Sequence, residues 1–175
     1  EEGIKVALIS SGESGFYGMA GLLLEIIQNI QEEFRPYYEV HPGISSLQLA
    51  AALGGAPLMN DFCSISLSDK LTPWELIEKK LRGGLLGDFV IAIFNPKSIE
   101  RNWQLERAIE LCLTSRPGNT PVLIARQVGR NNQSKKFFTL NNIPFKEIDM
   151  FSIIIIGNSK TTLVDDIFLT PRGYL

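Results

Sequence analysis

The chain has 175 residues, of which 45% are hydrophobic and 21% charged, so it can bury one substantial core or two small ones and is too apolar to be disordered. Its formal net charge is -2 and no basic run exceeds two residues, as at Lys79-Lys80 and Lys135-Lys136, which argues against nucleic acid as a partner. Apolar runs too short to cross a bilayer and two isolated cysteines predict a cytoplasmic protein with reduced thiols and no membrane partner.

The first third of the chain alternates predicted strands and helices. A strand over 4–10 leads through a glycine-rich turn into a helix over 19–30, and a strand over 38–41 precedes a helix over 46–53. Ser45 and Gln48 have the spacing of a capping box for that last helix. Pro57 follows its glycine-rich end, which predicts a domain of residues 1–57 and a second domain of residues 58–175.

The second domain is predicted to be a mixed sheet flanked by helices, which makes the whole chain an α/β protein. Thr72, Pro73 and Glu75 match the cap, first position and capping-box acid of a helix. The short link around residues 129–133 favours an antiparallel hairpin, whereas the helical crossovers favour parallel pairing. The predicted strands are 64–67, 89–94, 122–127, 136–140 and 151–157, and the predicted helices are 73–82 and 103–113.

Few residues offer ordinary catalytic chemistry. His41 is the single histidine, so neither a Ser-His-Asp triad nor a multi-histidine metal site can form, and we expect no bound metal. The turn around Gly12 follows a predicted strand, but Glu13 would repel a phosphate, and a merely structural turn is an equal alternative there. Asp61, Asp69 and Asp149 could each act as a base, although loop acids are more often caps or solvated charges.

Polar residues also follow the strand predicted over 89–94. Asn95, Ser98 and Arg101 come in quick succession, and a guanidinium can grip a carboxylate through paired hydrogen bonds. The structural alternative is a helix entry with Asn95 capping a turn. Further arginines lie beside strand ends or in glycine-containing loops, which would suit a ligand with several carboxylates; they are Arg126, Arg130 and Arg172.

These motifs resemble the tetrapyrrole methylases, and in particular their cobalamin-biosynthesis branch. The resemblance rests on PGISSLQLAAALGGAPLMNDFC, ISLSDKLTPWELIEKKL, FNPKSIER, TPVLIARQVGR and TPRGY. It implies a two-domain fold with a truncated first domain, S-adenosylmethionine as cofactor, a tetrapyrrole substrate and a homodimer. The implied reaction is methylation of C-17 of precorrin-3B or its cobalt-loaded counterpart, cobalt-precorrin-3, with contraction of the macrocycle. An activated methyl donor needs alignment more than a metal or a nucleophile.

The resemblance also implies a set of site residues. Asp69 is the candidate catalytic group, and the substrate would lie over Asp69, Asn95, Ser98 and Arg101. The cofactor would contact Ser11, Gly12, Glu13, Phe16, Ser45, Ser46, Phe94, Asn95, Ala125, Ser152 and Ile153.

Two departures from the family pattern leave an alternative open. Glu13-Ser14 stands where the family has Asp-Pro, and the family's initial strand with its GxGPG-type loop has no counterpart before Glu1 in this sequence. The alternative is therefore a catalytically impaired fragment, or a non-catalytic domain for tetrapyrrole binding or dimerisation.

Overall fold

The computed structural model describes residues 3–174, which divide into two compact units. One unit ends at Gln48 and the other begins at Leu49, so the division falls within a helix, α2 (Ser46–Gly54). The domain boundary predicted from Pro57 lies further along the chain and stays a prediction.

The first unit is built from helices and irregular segments. It contains α1 (Met19–Gln28), a 3-10 helix (Glu32–Phe34) and the start of α2. The strands predicted over 4–10 and 38–41 are wrong, because among residues 3–48 no backbone ladder forms for them to join.

Helix α1 confirms the predicted helix and ends two residues earlier than expected. Arg35 explains the end: its Nε donates to the Ile30 carbonyl at 2.9 Å and its Nη2 to the Gln28 carbonyl at 3.0 Å. A guanidinium at the helix C-terminus satisfies carbonyls that the helix itself leaves unpaired.

A five-stranded mixed sheet forms the centre of the second unit, as predicted. Its strand order is β2-β3-β6-β4-β5. The β2 and β3 strands are parallel and joined through α3, whereas β4 and β5 form the expected antiparallel hairpin. The bounds are β2 (Phe62–Ser66), β3 (Val90–Phe94), β4 (Pro121–Arg126), β5 (Ser134–Thr139) and β6 (Ser152–Ile156).

Helices α3 (Trp74–Leu86) and α4 (Gln104–Leu113) cover one face of this sheet. Alternate strand residues such as Ile93 and Ile154 point at them and are fully buried, which makes this layer the main core. Helix residues including Leu81 and Ala108 supply the other side of that core. Within residues 3–174, no helix combines the length and apolar character needed to cross a bilayer.

Helix α3 differs from its predicted form at both ends. Pro73 is the residue before the helix and no side chain caps it, so the capping box of Thr72 and Glu75 is wrong. The helix also runs past the expected end at 82, through Gly83 and Gly84. A Cβ on Gly84 would lie 2.7 Å from Cys63 Sγ, so this glycine serves close helix-to-strand packing and does not end the helix.

A small second sheet was not predicted from the sequence. It consists of β1 (Gly55–Ala56), β7 (Thr162–Val164) and β8 (Ile167–Leu169), in the order β1-β8-β7. Asp165 and Asp166 both have positive φ, 50° and 60°, in the two-residue turn between β7 and β8. That turn chemistry was the available sequence signal for a hairpin.

Candidate functional site

In the first unit, the glycine-rich turn lies directly against the segment that precedes α2. Gly12 has a φ of +81°, a left-handed conformation that favours glycine. A Cβ added to Gly43 would lie only 2.0 Å from the Gly12 carbonyl oxygen. Ser14 Oγ also donates to the His41 carbonyl at 2.8 Å. The predicted cofactor turn of residues 11–13 therefore lies beside Gly43, which shortly precedes the predicted contacts Ser45 and Ser46.

The start of α2 confirms the predicted capping box. The Ser45 amide donates to Gln48 Oε1 at 2.9 Å, and the Leu47 amide donates to Ser45 Oγ at 3.2 Å. Because the Ser45 hydroxyl already serves the helix, this residue would meet a ligand chiefly through its backbone. Phe16, the remaining candidate of the first unit, stacks on Tyr17 with ring centroids 5.2 Å apart.

In the second unit, polar groups gather where the parallel strands β2 and β3 end. Ser66 and Phe94 are register partners in the last positions of the two strands. Asn95 then adopts a φ of +49°, unusual for a residue other than glycine, and its Nδ2 donates to Ser66 Oγ at 2.9 Å. Carboxyl ends of parallel strands are where α/β folds place ligand sites.

Arg101 is buried beside this group, where it supports the fold. It is 7% exposed, and its Nη1 donates to the carbonyls of Leu67 at 3.1 Å and Asn95 at 2.9 Å. Ser98 and Arg101 exchange backbone hydrogen bonds of 3.0 and 3.3 Å. The guanidinium points into the protein because backbone carbonyls beyond the strand ends need hydrogen-bond donors. Whether it also meets a substrate carboxylate stays a prediction.

Asp69 has a partner that the sequence did not reveal. Gln104 Nε2 donates to Asp69 Oδ2 at 2.9 Å, although the two residues are 35 positions apart. Gln104 is the first residue of α4 and is 3% exposed. The sequence offered one signal for this contact, a polar residue at a buried position of a helix. That signal is weak, because a glutamine at the start of a helix is usually exposed to solvent.

The remaining cofactor candidates lie on neighbouring strands β4 and β6. Ala125 pairs with Ile153, and Arg126 pairs with Ser152. Because side chains alternate along a strand, Ala125 and Ile153 share the face that Phe94 also occupies, whereas Ser152 points to the helix-covered face. Only some of the predicted contacts on these strands can therefore act through side chains.

Asp149 holds the turn that leads into β6. Its carboxylate accepts from Arg126 Nη2 at 2.7 Å, from the Phe151 amide at 3.0 Å and from Ser152 Oγ at 3.1 Å. Burial raises the pKa of Asp149, but hydrogen bonds from Arg126, Ser152 and Phe151 outweigh it and leave the pKa below its ordinary value. An acid stabilised in this way as a carboxylate is a structural group rather than a general base.

This arrangement predicts a pH-dependent contribution to stability. Because the folded-state pKa is depressed, Asp149 stabilises the fold above its unfolded pKa of about 3.9, and the contribution disappears as pH falls through the folded pKa. We expect Asp149→Asn to cost at most about 1 kcal/mol at pH 7, since the Asp149 and Arg126 side chains are 38% and 39% exposed. In urea titrations from pH 7 to 2, the difference from the unsubstituted chain should vanish at the acid end. Arg126→Ala should show the same pH dependence. A difference in unfolding free energy that stays constant from pH 7 to 2 would contradict a stabilising role for the Asp149 carboxylate.

A pocket lined by residues of the second unit does not include the polar groups at the ends of β2 and β3. It lies on the helix-covered face at the β4–β6 end, and Arg126, Lys136 and Glu147 contribute its charges. Those charges already form ion pairs, Arg126 with Asp149 at 2.7 Å and Lys136 with Glu147 at 2.8 Å. We assign no ligand to it.

The cysteines offer no nucleophile. Burial raises the pKa of Cys112 to about 11, and burial also raises that of Cys63, so both stay thiols near neutral pH. Cys63 lies on β2 and Cys112 on α4, and both pack in or against the main core as small apolar side chains.

Comparison with known proteins places this arrangement in context. The sequence profile of the tetrapyrrole (corrin/porphyrin) methylases matches residues 1–144. A probable cobalt-factor III C(17)-methyltransferase of Salmonella typhimurium is 46% identical over 99% of this chain and 71% of its own length. A precorrin-3B C(17)-methyltransferase of Sinorhizobium sp is 38% identical over 98% of this chain and 70% of its length. A cobalt-factor III methyltransferase of Priestia megaterium is 44% identical, with the chain spanning 33% of it.

Solved structures show the same relationship. The crystal structure of the methyltransferase CobJ matches with a TM-score of 0.88 and 36% identity, covering 93% of this chain and 68% of that one. A uroporphyrin-III C-methyltransferase of Thermus thermophilus, complexed with S-adenosyl homocysteine, matches with a TM-score of 0.58 at 17% identity, a likeness of fold alone.

Proposed function

The chain belongs to the tetrapyrrole (corrin/porphyrin) methylase family, and from this we propose that it transfers a methyl group from S-adenosylmethionine to C-17 of a cobalamin precursor. The substrate is precorrin-3B or its cobalt-loaded counterpart, and methylation is accompanied by contraction of the macrocycle. The observation that carries the proposal is the 46% identity over 99% of the chain to a C(17)-methyltransferase. A homodimer remains part of the proposal.

The residues present suit a bound sulfonium cofactor. The turn at Gly12 and the segment at Gly43 bring backbone groups close together without side-chain bulk, and Ala125 and Ile153 give an apolar strand face. S-adenosylmethionine supplies an activated methyl group, so the protein's task is to orient it against a ring carbon and to exclude water. Asp69, Asn95, Ser98 and Arg101 are the proposed substrate contacts, and Arg101 also donates to a backbone carbonyl in each of the two segments that carry the other three.

Gly43→Ala tests the part of the cofactor site in the first unit. The added Cβ would lie 2.0 Å from the Gly12 carbonyl oxygen, so the turn must move away. We expect S-adenosylmethionine affinity, measured by calorimetry, to fall about fivefold, roughly 1 kcal/mol. Gly21→Ala is the matched control, because its Cβ meets nothing within 4 Å. Equal affinity of Gly43→Ala and the unsubstituted chain would remove this turn from the site.

A second calorimetric comparison concerns the initial strand and glycine loop that the family resemblance implies. We propose that this segment forms one wall of the cofactor pocket. A version of the chain carrying it at the N-terminus should bind S-adenosylmethionine at least tenfold tighter than residues 1–175, roughly 1.4 kcal/mol. Equal affinities would show that the loops of residues 1–175 suffice.

Product mass decides the substrate. Parallel reactions with precorrin-3B and with cobalt-precorrin-3 should each be followed by mass spectrometry for the gain of one methyl group. Faster gain with one of them identifies the preferred form. Tetrapyrrole binding without any gain, in the extended chain as well, would favour the non-catalytic alternative.

A further inference from the structure

The carboxylate of Asp69 depends on one side chain for its orientation. Its Oδ2 accepts from Gln104 Nε2 at 2.9 Å, and across residues 3–174 no other hydrogen bond or ion pair to this carboxylate is found. Asp69 is only half-buried and lies in the loop between β2 and α3. Without Gln104 its carboxylate could rotate freely toward solvent.

Gln104 is suited to hold that carboxylate because it cannot move easily itself. It opens α4, is 3% exposed, and its neighbour Leu105 is 1% exposed in the main core. Its amide orientation is also determined, since turning Oε1 toward the carboxylate would place two acceptors together. A rigid helix is a better support for a site residue than a loop.

The amide is costly for folding, which points to a role other than stability. With Nε2 on Asp69, the Oε1 atom is buried and has no hydrogen-bond partner in the described part of the chain. Buried polar atoms are nearly always paired, and unpaired ones tend to occur where function requires them. An apolar side chain of similar length would fill the position without that penalty.

We propose that Gln104 is the positioning residue for Asp69, fixing the carboxylate in the orientation that the methyl-transfer reaction needs. This inference rests on the proposed function and on Asp69 as a group that touches the substrate. Gln104 itself lies behind Asp69 and acts only through it.

The experiment measures kcat, KM and melting temperature for Gln104→Met in the full chain. The control is Gln28→Met, because the Gln28 side chain is exposed on α1. We expect kcat to fall on the order of tenfold, because a misplaced catalytic group slows the reaction even when binding persists. KM for S-adenosylmethionine should stay within twofold, and the melting temperature should be equal or higher. An unchanged kcat would overturn the proposal, whether or not the melting temperature falls.

A double-mutant cycle with Asp69→Ala tests whether Gln104 acts through Asp69. In the Asp69→Ala background, adding Gln104→Met should change kcat less than twofold, because the group it orients is gone. Additive losses would overturn the proposal while leaving the proposed function intact. Absence of methyl transfer by the unsubstituted protein, both as residues 1–175 and with the N-terminal extension, would overturn both, since the inference rests on that function.

Discussion

Arg116→Ala is expected to destabilise the second unit by about 3 kcal/mol, the largest single effect among the substitutions considered. Arg116 follows α4 and is 7% exposed. Its Nη1 donates to the Gly157 carbonyl at 2.5 Å and its Nη2 donates to the Phe89 carbonyl. The guanidinium therefore links the residue before β3 to the residue after β6. Its removal leaves these carbonyls without hydrogen-bond donors.

Burial lowers the pKa of Arg116, and attraction to the Asp88 carboxylate opposes this shift. The cost of burying this charge partly offsets its hydrogen bonds, which is why the expected loss is not larger. Urea denaturation measures the effect, with Arg82→Ala as the control, since Arg82 meets Glu78 only at 3.8 Å on the surface. A loss for Arg116→Ala no greater than that of the control would show that water replaces the guanidinium.

Arg101→Ala is expected to lower the free energy of unfolding by about 2 kcal/mol, because the Leu67 and Asn95 carbonyls lose a buried donor. The same change should weaken tetrapyrrole binding at least tenfold. Asn95, whose carbonyl Arg101 holds, also reaches Ser66 at the end of β2, so the loop that carries the substrate candidates would lose its anchor.

Paired measurements of unfolding and of tetrapyrrole binding by tryptophan fluorescence separate the two roles of Arg101. Lys70→Ala is a suitable control. Lys70 is exposed in the loop between β2 and α3, and it pairs at 3.5 Å with Glu100 in the loop between β3 and α4. A loss of binding with unchanged stability would restore a purely ligand-directed role for Arg101. A loss of stability with normal binding would make it a purely structural residue.

Local chemistry explains which parts of the fold the sequence predicts. The Ser45 and Gln48 capping box involves residues three positions apart, and the structure confirms it. The mixed sheet also follows from local signals, because buried apolar runs and connection lengths specify strands and their direction. The β7–β8 hairpin was missed although Asp165-Asp166 has the composition of its turn, because both strands are only three residues long.

Non-local contacts account for the parts of the fold and of the candidate site that the sequence did not predict. A strand was predicted over 4–10, but strand formation depends on a neighbouring ladder that no local pattern reports. The helix predicted to end at 82 runs through Gly84, because the role of this glycine depends on Cys63, which lies in another element. In the candidate site, Gln104 and Arg101 have partners on distant loops, so their burial follows from how β2, β3 and α4 assemble.

The position of the transferred methyl group on the product distinguishes C-17 methylation from every other outcome. The chain, alone and with the N-terminal extension, is incubated with S-adenosylmethionine carrying a ¹³C-labelled methyl group and with precorrin-3B or cobalt-precorrin-3. NMR of the product should show one new ¹³C methyl group bonded to C-17 of a contracted macrocycle, formed more slowly by Gly43→Ala than by Gly21→Ala. A label on another ring carbon would contradict the C-17 assignment, and no label on the tetrapyrrole with either version would contradict methyl transfer itself.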